Sequence, residues 1–254
     1  MDISIAIMGL FVGFLVGLTG VGGAAVLTPI LLMFGVNPSI AVGTDLIYNS
    51  VTKLFGTIQH WRQQTIDFRL ARYLAYGSIP GAVLSIALLH VFDSFYSNQE
   101  EIIKHALGYV LIVVALATLL KIVLDHKMKA DSWQVKSLDD RKGLTILVGG
   151  VLGFIVGLTS IGSGSLFALV MLYFFRISPA KLVGTDIAHA FLLVTVAGAL
   201  HAGMGNVDYM LAVNLLLGSV PGVIIGSTLS AKAPTKFLRT VIASIILISG
   251  LKLI

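Results

Sequence analysis

Hydrophobic positions fall in long blocks, at about 3–35, 39–61, 69–91, 104–124, 143–175, 181–203, 209–230 and 236–254. Most are near the ~20 apolar residues that a helix needs to cross a hydrocarbon core of about 30 Å. None alternates with the period of two that marks an outer-membrane barrel strand. The blocks 3–35 and 143–175 are too long for a single crossing, because about 33 helical residues reach about 50 Å. Each is interrupted by glycine, first in Gly17-Leu18-Thr19-Gly20-Val21-Gly22-Gly23 and again in Gly157-Leu158-Thr159-Ser160-Ile161-Gly162-Ser163-Gly164. Each glycine weakens a helix by roughly 1 kcal/mol, and a break frees N–H and C=O groups that hydrocarbon cannot satisfy. The pieces on either side, about 14 to 16 residues, span only ~21 to 24 Å and read as half-helices.

The chain superposes on itself when shifted by 140 to 141 residues. Gly13–Thr19 falls on Gly153–Thr159, Pro38 on Pro179, Val42–Asp45 on Val183–Asp186, His60 on His201, Asp67 on Asp208, and Gly77–Gly81 on Gly218–Gly222. Ordered matches of this kind indicate two homologous halves, 1–124 and 143–254, joined by a polar cytoplasmic linker at 125–142. Lys and Arg, which are enriched in cytoplasmic loops, decide how the halves are oriented. With the halves inverted, 13 cations lie on the cytoplasmic side and 2 outside; with the halves parallel the numbers are 9 and 6. The expected fold is therefore an all-α membrane protein of two inverted repeats, each a re-entrant broken-helix hairpin plus three transmembrane helices, with both termini outside. A plainer reading of the glycines, that they only let helices pack closely, stands beside this one.

Composition adds exclusions. The chain is 57% hydrophobic and 11% charged, against about 25% charged for an average soluble domain, so a lipid bilayer is its surroundings. The net charge of +5 sits in short loops where orientation signals belong, so no nucleic-acid partner is expected. There is no cysteine, hence no disulfide, thiolate metal site or cysteine nucleophile. Met1-Asp2-Ile3-Ser4 lacks the basic start of a signal peptide, so the first block is expected to be retained.

In the second block Asp45, Asn49, Lys53, Gly56 and His60 recur every three or four residues and share one helix face. Charged groups inside a membrane cost at least ~2.5 to 3.5 kcal/mol each and face a cavity or a partner. This stripe is a candidate pathway wall. Its counterpart keeps Asp186, but has Ala190 for Asn49, Val194 for Lys53, and His189 where Tyr48 stands. Lys53 is the one cation deep inside an expected span; it either favours an anion, snorkels outward or pairs with Asp45. Half-helix starts at Gly22 and Gly162 add partial positive charge. Asp45 and Asp186 follow Gly-Thr near helix starts, where a carboxylate either caps backbone N–H groups or carries a coupling proton or sodium ion. His189 either relays a proton or packs. His60 and His201 read as interfacial.

An enzyme is not indicated. Gly43-Thr44-Asp45 lacks the Gly-x-Gly-Asp signature of intramembrane aspartyl proteases, Ile161 stands where a rhomboid serine loop has glycine, and no His-Glu-x-x-His or phosphate loop occurs. No cofactor and no metal is expected.

The repeated glycine breaks, the Asn37-Pro38 to Asp45 segment and Gly77-Ser78-Ile79-Pro80-Gly81 resemble the sulfite exporter family of the TauE/SafE type over nearly the whole chain. The resemblance implies a multi-pass permease of the cytoplasmic (inner) membrane that exports sulfite, organosulfonates or related small organic anions, coupled to protons. On this reading Thr19, Gly20, Gly22, Gly23, Asn49, Lys53, Thr159, Ser160, Gly162, Ser163 and Gly164 hold the anion, and Asp45 or Asp186, with His189, couples it to H+. Ser160 and Ser163 replace glycines of the first break. The alternatives are a sodium-coupled or channel-like carrier of small carboxylates, and a membrane-embedded enzyme or scaffold.

Overall fold

A computed structural model describes residues 3–19, 23–96, 99–124, 141–175, 177–230 and 235–254. Gly20, Gly22 and all but the end of the 125–142 linker lie outside the described residues, as does the side chain of Thr19. The described residues form ten helices and no strand: α1 (Ile3–Thr19), α2 (Ala24–Met33), α3 (Pro38–Arg62), α4 (Phe68–Tyr96), α5 (Gln99–Leu124), α6 (Lys142–Thr159), α7 (Ser165–Phe174), α8 (Pro179–Gly203), α9 (Tyr209–Ser230) and α10 (Thr235–Leu253). Among them, Phe68–Val91, Lys142–Thr159, Ala180–Gly203 and Tyr209–Gly226 are long and apolar enough to cross a membrane. Large apolar side chains such as Phe11, Phe55, Tyr76, Leu147, Met210 and Ile248 are exposed around the bundle, a surface that suits lipid rather than water.

Local chemistry sets the helix ends, and it does so twice. Asn37 caps α3 by accepting from Ser39 N at 2.9 Å, and Ser178 accepts from Lys181 N at 3.4 Å, each followed by proline at the first helical position. Proline suits that position because its missing N–H would have no partner there. Asp67 accepts from the N–H groups of Arg69 and Leu70, both at 3.0 Å, and opens α4; Asp208 accepts from Leu211 N at 2.9 Å and opens α9. The matched aspartates are thus helix caps.

The halves pack by exchanging elements. A Cβ on Gly9 or Gly13 of α1 would fall on the backbone of Leu215 or Ser219 in α9, and one on Gly149 or Gly153 of α6 would fall on Leu74 or Ser78 in α4. These are the same seam 140 to 141 residues apart, and the numbering climbs together along both partners, so each pair runs parallel. Equivalent helices meet head to tail instead. In α3 and α8, Ile47 lies by Gly198, Ser50 bonds Thr195 at 2.8 Å, and Gly56 faces Ile187. In α5 and α10, Gly108 lies by Leu253 and Ile254 while Gly250 lies by Leu111 and Ile112. Two cross-links repeat with equal fidelity: Thr44 Oγ1 accepts from Asp208 N at 3.0 Å, and Thr185 Oγ1 accepts from Asp67 N at 2.9 Å. Small residues at these seams are what allow close backbone approach in membrane bundles.

The second break turns the chain back. Ser160 follows α6 with φ +61°, Gly162 has φ +99°, and α7 starts at Ser165. Arg141, at the start of α6, donates to Phe174 O at 3.1 Å and lies 5.8 Å over the Phe174 ring. The start of α6 and the end of α7 are therefore side by side.

Candidate functional site

The second turn of α3 carries the centre of the site. Asp45 is fully buried, and its carboxylate accepts three side-chain donors. Oδ2 takes Thr28 Oγ1 at 2.8 Å from α2 and Ser160 Oγ at 2.7 Å from the second break; Oδ1 takes Asn49 Nδ2 at 2.8 Å. Hydroxyl and amide donors aimed at an ionised carboxylate are the strong, charge-assisted kind. The helix-cap reading of Asp45 is corrected here, because it lies beyond the first turn of α3 and its described partners are all side chains.

Two turns on, half-buried Lys53 donates to Ser163 O at 3.4 Å, bringing its ammonium to the second break rather than out to the surface. Its electrostatic neighbours are Asp186 on α8 and Asp45. Gly23, next to the first break, faces the same helix: a Cβ there would stand 3.2 Å from Asn49 Oδ1 and 3.5 Å from the Tyr48 ring. Asp45, Asn49, Lys53, Ser160, Ser163 and Gly23 thus converge on one stretch of α3. Gly164 precedes α7 without any side-chain cap on the helix N–H groups, and Gly162 supplies the positive φ of the turn.

His189 is fully buried on α8, with Nε2 2.8 Å from Ser78 Oγ of α4, its ring 4.4 Å from that of Phe167, and Nδ1 with no hydrogen-bond partner among the described residues. The matching position repeats the pairing with different chemistry, since Tyr48 has Ser219 of α9 as its neighbour.

Several expectations change in detail. Thr159 donates its hydroxyl to Ile155 O at 2.7 Å and accepts from Ile161 N at 3.3 Å, so it closes α6. Both amide hydrogens of Asn49 are engaged, on Asp45 Oδ1 and on Asp45 O at 2.9 Å. His201 stands in the last turn of α8 but is fully buried, with Nε2 3.0 Å from Gly157 O. Thr28, Ser78 and Phe167 were not singled out from sequence. Thr28 had a signal, as the lone polar side chain in the half-helix Ala24–Met33. A depression of about 630 Å³ opens elsewhere, between the starts of α1 and α9, lined by Ile3, Asp208, Met210 and Asn214.

Comparison with known families matches residues 5–253 to Sulfite exporter TauE/SafE. The chain belongs to the sulfite exporter TauE/SafE family. It is 63% identical over its full length to the probable membrane transporter protein YjnA of Bacillus subtilis, covering all of that protein. It is 26% identical to the probable membrane transporter protein YunE of the same organism, over 98% of this chain and 96% of that one. It is 24% identical to the probable membrane transporter protein MJ0441 of Methanocaldococcus jannaschii, over 96% and 92%. No solved structure matches. As a member of this family, with several apolar helices, the chain is a multi-pass membrane protein of the transporter class.

Proposed function

We propose that this TauE/SafE family protein is a secondary transporter that exports sulfite, organosulfonates or related small organic anions across the cytoplasmic membrane, coupled to protons. The observation that carries the reading is the convergence of both broken helices on one buried polar stretch of α3, with a cation and a carboxylate two turns apart. Lys53 supplies the fixed positive charge for the anion, assisted by the uncapped start of α7 and by Ser163. Asp45 is the coupling group and Lys53 its electrostatic neighbour. Asp186 and His189 complete the α8 side.

The transport cycle follows from the packing. The antiparallel meeting of equivalent helices, α3 with α8 and α5 with α10, supports a pseudo-two-fold axis across the helices and hence inverted halves. The Arg141–Phe174 contact supports a re-entrant α6–α7 hairpin. Rocking of one half against the other around a fixed central site then alternates access.

The test is radiolabelled sulfite flux in proteoliposomes with an imposed pH gradient or an imposed sodium gradient. The reading expects flux that follows the pH gradient; flux that follows only sodium, or none for any of sulfite, sulfoacetate and taurine, overturns it.

A further inference from the structure

The partners of Asp45 come from both broken helices at once. Thr28 lies on α2, just after the first break; Ser160 lies within the second, directly after α6. Both hydroxyls point at the same oxygen, Oδ2, at 2.8 and 2.7 Å, and all three residues are fully buried. An ionised carboxylate only accepts, so both hydroxyls donate to it. Once a proton occupies that oxygen, its O–H must itself find an acceptor and at least one hydroxyl loses its own.

Ser160 is also held at a backbone cost. Its φ of +61° is left-handed, a region that favours glycine. The matching residue of the first break is Gly20, so the repeat uses glycine here and the second half keeps a serine whose hydroxyl reaches Asp45. The ring is one-sided as well. The positions matching Ser160, Thr28 and Asn49 are Gly20, Leu169 and Ala190, none with a hydroxyl or amide to offer Asp186.

We propose that Thr28 and Ser160 are positioning residues that moor α2 and the second break to the charge of Asp45, so that neutralising this one carboxylate loosens both together. The inference rests on the transport reading for its purpose and deepens it by stating how the charge of Asp45 reaches α2 and the second break. The charged and titratable groups in the surroundings are Lys53 and Tyr48 on α3 and, across Lys53, Asp186 and His189 on α8. The described part of α2 and the second break carry none.

The experiment is an infrared pH titration of the protein in lipid, with the Asp45 carboxylic-acid band assigned by its loss in Asp45→Asn. Ser160→Gly and Thr28→Val each remove one donor to the ionised form, and each moves the midpoint of that band upward by about one pH unit or more relative to the unsubstituted protein. Thr28→Ser restores the donor and leaves the midpoint in place. Ser160→Gly, relieved of its left-handed side chain, unfolds at an unchanged or higher temperature, which separates positioning from a purely structural role. Cysteines at Ala25 and Ile161, both buried, report the loosening: Asp45→Asn speeds maleimide labelling at both. Unmoved midpoints, a Thr28→Ser shift as large as that of Thr28→Val, or faster labelling at one site only overturns the proposal. Loss of sulfite flux in the unsubstituted protein, with these shifts intact, sinks the transport reading alone.

Discussion

Gly153 and Gly143 lie on the same helix, α6, and alanine at the two positions has opposite consequences. At Gly153 an added Cβ stands 2.6 Å from the carbonyl carbon of Ser78, and closer still to its Cα and oxygen, whereas ordinary van der Waals contact begins near 3.4 Å. The α4–α6 seam must open by more than about 0.8 Å, because backbone atoms cannot swing aside as a side chain does. Overpacking of this kind costs about 1–3 kcal/mol. At Gly143 nothing lies within 4 Å, so alanine there only adds helix propensity, up to about 1 kcal/mol. The two variants differ by about 1–4 kcal/mol, which at about 2–4 °C per kcal/mol for a chain of this size separates their unfolding midpoints by about 2 °C or more. Tryptophan fluorescence during heating in detergent reads the difference directly. The opened seam also displaces Ser78, whose hydroxyl lies 2.8 Å from His189 Nε2, so flux falls in Gly153→Ala and not in Gly143→Ala. Equal midpoints for the two variants would refute the close-packed seam.

Thr44→Val and Thr185→Val each remove the acceptor of one backbone N–H from the opposite half; each should cost about 1 kcal/mol, and clearly unequal thermal midpoints contradict the repeated cross-link. Lys53→Met removes the fixed cation and should weaken sulfite binding by about tenfold or more, equivalent to about 1.4 kcal/mol, seen as loss of sulfite-dependent thermal stabilisation; undiminished stabilisation excludes Lys53 from the anion site.

The repeat, the two breaks and the polar stripe were legible because each is a local statement: glycine density, a fixed offset, and helical spacing of Asp45, Asn49 and Lys53. What was not legible is who touches whom. Periodicity names the face of α1 that packs, but not that α9 from the other half covers it. Asp45 stood out in the sequence as a carboxylate, while its partners depended on tertiary approach: Ser160 is 115 residues away and Thr28 sits on a helix read only as apolar. The partners of Thr159 are hidden too, because a hydroxyl beside a glycine break and a hydroxyl that back-bonds to residue i−4 look alike in sequence. His201 occupies the last turn of α8, a position that reads as surface until α6 ends beside it with the Gly157 carbonyl.

Transport by a central site requires the two halves to face opposite sides of the membrane, and the cysteine-free chain permits a direct measurement. Gln63 follows α3 and Gly203 ends α8, equivalent helices that run antiparallel, and both residues are exposed. Single cysteines at these two positions, challenged with a membrane-impermeant maleimide on intact and on broken cells, should label from opposite sides, Gln63→Cys from the cytoplasm and Gly203→Cys from outside. Labelling of both from one side contradicts inverted halves and with them the central site.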